Sequence, residues 1–384
     1  MLKFSKKRIW NILYIILIVF IFFEILLGSG AVPTMVAKLV SVFKMSYFAF
    51  VIILFFMVIK NKKIDRIVFF VMLIPVWQFY VSIIMGAPLS TNMIYQIFVW
   101  PMLFVIVYIM TKDDIFQLPT LKYGSILWMV SSIYVVYILR TRMFNDVYLT
   151  YYLILAIPFL VTLKDKCKYI WVAIITIIIL FTYKRTGLMC LVMGGAIYLL
   201  VNYIIQNKKS KKLRWFFILT LIFIAAIIFI NNYMGILPVF RRMENISEDN
   251  GSDRFVIWNY LITTFKNDSL ITKLLGHGYT GCNRVLNGVY AAAHNDFVEI
   301  LLDYGLIGFI NHCVYILIII KNLFGYIKIK ANCSSGYAFM IVAWFMLMMF
   351  SFVSWQSILM KLIAIYFAYM LARFKYHRDK IETT

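Results

Sequence analysis

The sequence predicts an all-α, polytopic membrane protein with about twelve transmembrane helices. Three observations carry that reading. The 384 residues are 64% hydrophobic and 14% charged, with a mean hydropathy of +0.89, whereas a soluble domain carries about 25% charged residues. Apolar stretches close to the length of one membrane-crossing helix, about 20 residues, recur from end to end. The short alternating segments of a β-barrel are absent from the sequence.

The N-terminal run "MLKFSKKRIWNILYIILIVFIFFEILLGSG" has a basic head and an apolar body. No small-x-small cleavage pattern follows, so it reads as an uncleaved first helix rather than a signal peptide. Hydropathy places spans near 9–27, 40–59, 67–86, 93–110, 121–139, 147–163, 169–183, 187–205, 215–234, 297–320, 336–353 and 356–373. The connections are short except for one loop, 235–293, between the ninth and tenth spans. The chain, 1–384, reads as a single integral membrane domain carrying that loop. Cys167, Cys190, Cys282, Cys313 and Cys333 are scattered, with neither metal-ligand spacing nor a disulfide framework.

Lys and Arg orient the chain. The clusters "KFSKKR", "KNKKIDR", "KDKCK", "NKKSKKLR", "KNLFGYIKIK" and "RFKYHRDK" hold more than half of the 38 basic residues. Twelve spans put all six, and both termini, on one side, which the positive-inside rule makes cytoplasmic. The net charge of +22 therefore belongs to membrane flanks, and no nucleic acid partner is expected. The long loop is expected outside.

Several basic residues fall on the expected outer side, among them Arg140, Arg142, Lys184, Arg185, Arg241, Arg242, Arg254, Lys266, Lys273 and Arg284. Ordinary solvated charge accounts for Lys266 and Lys273. It fits Arg185 poorly, because "FTYKRTG" interrupts an almost continuous apolar stretch from Ile170 to Ile205. A charge drawn to mid-membrane costs about 2.5–3.5 kcal/mol, and Ser or Asn would serve a surface turn as well. A charge at the membrane edge is a functional candidate.

Within the loop, "SDRFVIWNYLITTFKND" reads as an amphipathic helix. Ser252 or Asp253 could cap it, Arg254 stands in its first turn, and Phe255, Trp258, Ile262 and Phe265 recur at helical spacing. Such a helix suits the headgroup level. The glycine-rich "LLGHGYTGCNRVLNGVYAAA" lacks helical periodicity and reads as an irregular, substrate-facing loop. The chain then enters a span through "AAAHNDFVEILLDYGLIGFI" (291–310), which sets its most polar cluster at the membrane's edge. Asp296, Glu299 and Asp303 share one helix face, and acids in a first turn suit the helix dipole. His294 can exchange a proton near neutral pH. Arginines can hold a diphosphate through paired, charge-assisted bonds. A histidine, a few arginines and an amphipathic lid are the parts needed to move a glycosyl group off a polyprenyl diphosphate carrier.

At these residues the chain resembles the O-antigen ligase/polymerase superfamily of bacterial membrane glycosyltransferases. "YKRTG" (183–187) looks like the family's Arg-small-Gly turn, "DRFVIW" (253–258) its Arg-x-x-x-Trp helix, and "GHGY" (276–279) its Gly-x-Gly turn. "AHNDFVEILLDYGLIGF" (293–309) looks like its His-Asn-x-x-x-Glu-x-x-x-x-x-Gly-x-x-Gly signature. Each motif alone is weak; four in family order around one long loop are more specific. The resemblance implies a GT-C-like helical fold. It also implies transfer from a polyprenyl-diphosphate-linked sugar without a metal or other cofactor. Arg185 and Arg254 match the arginines that bind the donor diphosphate, and His294 matches the catalytic histidine. Asn295, Glu299 and Trp258 are expected to support the site. His277 is not required by the family pattern and reads as loop chemistry.

The chemistry so read is displacement at an anomeric carbon, with inversion, His294 acting as base on the acceptor hydroxyl. Three functions remain: a polymerase joining carrier-linked repeat units, a ligase passing finished glycan to another acceptor, and a flippase of lipid-linked oligosaccharide. The polymerase is favoured, with a chain-length regulator and a flippase as companions. A transporter predicts charges at mid-membrane depth and an internal repeat. No repeat is visible, and Glu24 and Lys361, each inside an apolar span, are the charges a transporter would use.

Overall fold

The computed structural model describes residues 6–28, 34–60, 62–113, 129–130, 133, 149–162, 168–180, 184–205, 253–287, 292–351, 353 and 356–382. All regular structure among them is helical: α1 (Lys6–Gly28), α2 (Thr34–Ile59), α3 (Arg66–Ile84), α4 (Thr91–Lys112), α5 (Leu149–Thr162), α6 (Lys168–Leu180), α7 (Arg185–Ile205), α8 (Arg254–Asn267), α9 (Leu270–Leu275), α10 (Gly281–Val285), α11 (Asp296–Lys328), α12 (Ser334–Phe350) and α13 (Ser357–Glu382). Six are long and apolar enough to cross a membrane, with shorter apolar helices beside them, as expected of a polytopic membrane protein. Lipid offers no partners for peptide groups, so a spanning segment must satisfy its own as helix. Expected spans on described residues coincide with helices. The span near 215–234, nearly all of that near 121–139, loop residues 235–252, and Arg140, Arg142, Arg241 and Arg242 lie outside the described residues.

The chain divides into two compact units. The first comprises 1–124, 253–321 and 347–384; the second comprises 125–252 and 322–346. In the first unit, α4 and α13 are apolar on nearly every side and bury nearly every side. They pack on each other, and α2 and α3 pack on α4. At one end of this bundle Lys62 pairs with Asp113 at 2.6 Å and Lys112 with Asp65 at 3.0 Å, closing the "KNKKIDR" turn onto the end of α4.

Deep in the same unit lie Glu24 and Lys361. Lys361 (α13) is fully buried and pairs with Glu24 (α1), itself 3% exposed. Tyr95 (α4) donates to Glu24 at 3.1 Å and accepts from Lys361 at 2.8 Å, and Ser357 also donates to Glu24. The ammonium stands 4.8 Å from the Tyr47 ring centre and 5.3 Å from that of Tyr95, within cation–π range. First, second, fourth and last helices thus meet at one ion pair.

The second unit gathers α5, α6, α7 and parts of α11 and α12. Close approach there relies on missing side chains: a Cβ on Gly194 would lie 2.9 Å from the Phe339 ring, and one on Gly187 2.9 Å from Thr150. Small residues at such contacts are the usual means by which helices pack in lipid.

Candidate active site

The site in the first unit is built around the start of α11. Asn295 is its N-cap: Oδ1 accepts from the amides of Phe297, at 3.0 Å, and Val298, at 3.3 Å. Glu299, buried one turn in, reaches back so that Oε1 accepts from the Ala293 amide at 2.8 Å. This is a longer-reaching relative of the capping box. The Trp258 indole, on α8, donates to the Ala293 carbonyl at 2.7 Å. Both polar groups of the Ala293 residue are therefore held from outside its own strand of chain. His294 follows directly, half-buried, with φ +54°. A non-glycine residue in that left-handed region costs about 1–2 kcal/mol, and the four bonds made by Asn295, Glu299 and Trp258 over-determine the backbone.

Arg254 is the first residue of α8, one helical turn from Trp258, so the bond from Trp258 to Ala293 sets it one turn from the His294 anchor. Asp253 sits at the N-cap position but in a left-handed conformation (φ 59°) with no side-chain capping bond, unlike the cap expected for it. Arg185 is likewise the first residue of its helix, α7, and belongs to the second unit. A cation at a helix N-terminus opposes the dipole. Guanidinium and free amide ends together suit an anion.

The amphipathic helix is turned slightly from its expected face. Ile257 and Leu261 are its buried pair, packing with Cys282, Leu286, Ala293 and Leu302, while Trp258 and Phe265 flank them. Phe255 and Ile262, expected on the same stripe, are exposed. The packing partners come from 282–302, and their position selects the face.

The segment expected to be irregular holds the last two residues of α9 and the short helix α10, joined by the Gly276–Gly278 turn. That turn closes a break in α11. At Gly305 the helix adopts φ 65°, ψ −172°, so the preceding turn has carbonyls its own helix does not take. The His277 amide donates to Leu302 O and the Gly278 amide to Asp303 O, both at 2.7 Å. The Trp77 indole donates to Tyr304 O at 3.1 Å. The Asp303 carboxylate accepts from the Cys282 amide at 2.6 Å, fixing α10. Contact is backbone to backbone: a Cβ on Gly276 would lie 2.5 Å from the Asp303 carbonyl carbon. His277 pairs with Asp268 at 2.9 Å, in keeping with loop chemistry.

Tyr279 docks the turn onto α3 and α4. Its amide donates to Ser82 Oγ at 3.0 Å and its hydroxyl to Gln96 Oε1 at 3.2 Å. Burial, then the Asp303 charge, pushes its phenol up to about 12. The Cys282 thiol is pushed up by burial, with Asp303 and Glu299 adding to it. A cavity of about 30 Å³, enough for a water or two, opens between Gln78, Gln96, Tyr279, Glu299, Asp303 and His312. Gln78, Ser82, Gln96 and His312 were not expected at the site. Their signal was present as lone polar residues within apolar spans. Among the described residues, no three His, Cys, Asp or Glu side chains are grouped to hold a metal ion.

Comparison with known proteins agrees with the motifs. No curated protein matches the chain. A family model described as O-antigen ligase matches residues 170–313, a range holding Arg185, α8, the glycine turn and the break in α11. Members of that family are membrane enzymes that transfer glycosyl groups. That match supports the place of this chain in the O-antigen ligase/polymerase superfamily.

Proposed function

We propose that the chain is a polysaccharide polymerase of the O-antigen or capsular type. It joins polyprenyl-diphosphate-linked repeat units at the outer face of the bacterial cytoplasmic membrane, with both termini in the cytoplasm. The observation that carries the reading is the backbone cradle of His294: Trp258 and Glu299 grip the residue before it, and Asn295 caps the helix after it. Three residues spent on holding one histidine in an unfavoured conformation favour a role for its imidazole.

In the proposed step, the acceptor hydroxyl oxygen attacks the anomeric carbon of the donor. The bond between that carbon and the diphosphate oxygen breaks, and its electron pair leaves with the polyprenyl diphosphate. His294 takes the hydroxyl proton, a contribution of about 10²–10⁴-fold. Arg185 and Arg254 stabilise the charge that develops on the leaving group. One displacement without a covalent intermediate inverts the anomeric configuration. Trp258, Asn295 and Glu299 act on the backbone to either side of His294.

A ligase, handing the glycan to a different acceptor, would use the same parts, and the matched family bears that description. A flippase is disfavoured because Glu24 and Lys361 are spent on each other and on Tyr95. Purified protein incubated with a lipid-linked repeat unit separates the three. A ladder of products supports the polymerase, transfer only to an added foreign acceptor supports the ligase, and no covalent product with vesicle translocation supports transport.

A further inference from the structure

We propose that α9 is a membrane-seated foot: Leu270, Ile271 and Leu274 lie among the acyl chains of the adjacent leaflet, continuous with the lipid-facing side of α11 below its break. The inference is independent of the group the site transfers. Leu270 and Ile271 are 73% and 66% exposed, and Leu274 is 38% exposed, on a helix of only six residues. The neighbouring loop surface is polar, with Asn283, Arg284 and Asn287 exposed. Large aliphatic residues bared together in this way mark an interaction surface.

Continuity identifies the occupant. The Leu274 carbonyl abuts the backbone of Gly305, where α11 breaks. The residues that follow, Leu306, Ile307 and Ile310, are exposed on a helix that crosses the membrane. From the break to Lys328 that helix runs about 34 Å at about 1.5 Å per residue, against a hydrocarbon core of about 30 Å. Exposed Lys321 and Lys328 mark the far end, where long basic side chains can reach the interface. The near edge of the hydrocarbon thus falls at Gly305, and α9 is packed at that height. The foot sets the Gly276–Gly278 turn, and with it the start of α11, at headgroup level.

The test uses full-length protein in nanodiscs. L270C and I271C are made with Cys167, Cys313 and Cys333 replaced by serine and buried Cys190 and Cys282 retained, then labelled with a small fluorophore. I307C serves as the lipid-facing reference and N283C as the aqueous one. Lipids carrying a nitroxide near the headgroup should quench labels at 270 and 271 at least threefold more than the label at 283, as they do at 307. Aqueous iodide should show the opposite order. Iodide quenching at 270 and 271 equal to that at 283, with normal lipid quenching at 307, overturns the proposal. Shielding of both labels from both quenchers, as a protein partner or second copy would give, overturns it too.

Discussion

Trp258 and Ala293 are joined by a 2.7 Å hydrogen bond from indole Nε1 to peptide carbonyl, and that bond ties α8 to the residue immediately before His294. A neutral hydrogen bond contributes about 1 kcal/mol net, so its value lies in position rather than in stability. Trp258→Phe keeps much of the ring packing and removes the donor. Turnover should fall roughly fivefold with little change in the concentration of donor needed for half-maximal rate. An unchanged turnover number, at equal folded protein, would free His294 from dependence on this bond.

His294→Ala and His294→Gln should both abolish product while membrane insertion and donor binding persist, since glutamine can hydrogen-bond but cannot take the proton. The left-handed backbone adds a second readout. Glycine accepts φ near +54° without the Cβ penalty, so His294→Gly should be inactive yet more stable than His294→Ala, by about 1–2 kcal/mol. Near-normal turnover in the glutamine variant would move the base elsewhere.

Arg254 and Lys266 stand at opposite ends of α8 and offer a paired contrast. A planar guanidinium fork facing a diphosphate is not replaced by a point charge, and a hydrogen bond to a charged group contributes about 1.5–3 kcal/mol. Arg254→Lys should lower kcat/KM by about ten- to a hundredfold, close to Arg254→Ala, while Lys266→Ala should be mild. Full polymer yield from Arg254→Lys would make Arg254 a generic cation.

The helical class, and the helices that carry the spans on described residues, were legible in the sequence because lipid leaves a spanning backbone no alternative. The polar entry into α11 was legible too, from polar residues placed where an apolar run begins. What those residues touch was not. Glu299 serves the Ala293 amide and Asp303 the Cys282 amide; both are side-chain-to-backbone bonds fixed by tertiary closure, which residue spacing does not encode. The span near 297–320 was read as unbroken. Gly305 breaks it because 277, 278 and Trp77 supply the donors that make a break tolerable, and those lie far away in sequence. The burial of Ile257 rather than Phe255 follows from other partners remote in sequence, Cys282, Leu286, Ala293 and Leu302.

The Glu24–Lys361 pair makes a prediction about assembly. Removing one partner of a buried ion pair costs about 3–5 kcal/mol, whereas replacing both with well-packed neutral groups is often tolerated. Glu24→Ala and Lys361→Ala should each reduce folded protein recovered from membranes, and the double variant Glu24→Gln/Lys361→Met should recover most of it. Thermal unfolding in mild detergent is the measurement. A double variant as unstable as the sum of the two singles would mean that the charges act independently.

Three glycines separate backbone conformation from space. Gly195, inside α7, has nothing within 4 Å of an added Cβ and an ordinary φ. Gly195→Ala should be neutral or stabilising, by about 0.5–1 kcal/mol, because alanine is the better helix former. Gly86 also has open space but sits at φ +67°, so Gly86→Ala bears only the left-handed penalty of about 1–2 kcal/mol. Gly276 combines φ +84° with backbone atoms of Asp303 and Gly305 at 2.5 Å from the added carbon. Those atoms cannot swing aside as a side chain end could, so the turn must lift from α11. That would take the His277 and Gly278 amides off the carbonyls they satisfy. Gly276→Ala should therefore be the most destabilising of the three. It should also lose product formation more completely than stability, because the lifted turn no longer fixes the start of α11. Equal stability of the Gly86→Ala and Gly276→Ala proteins would show that the turn does not clasp the broken helix this closely.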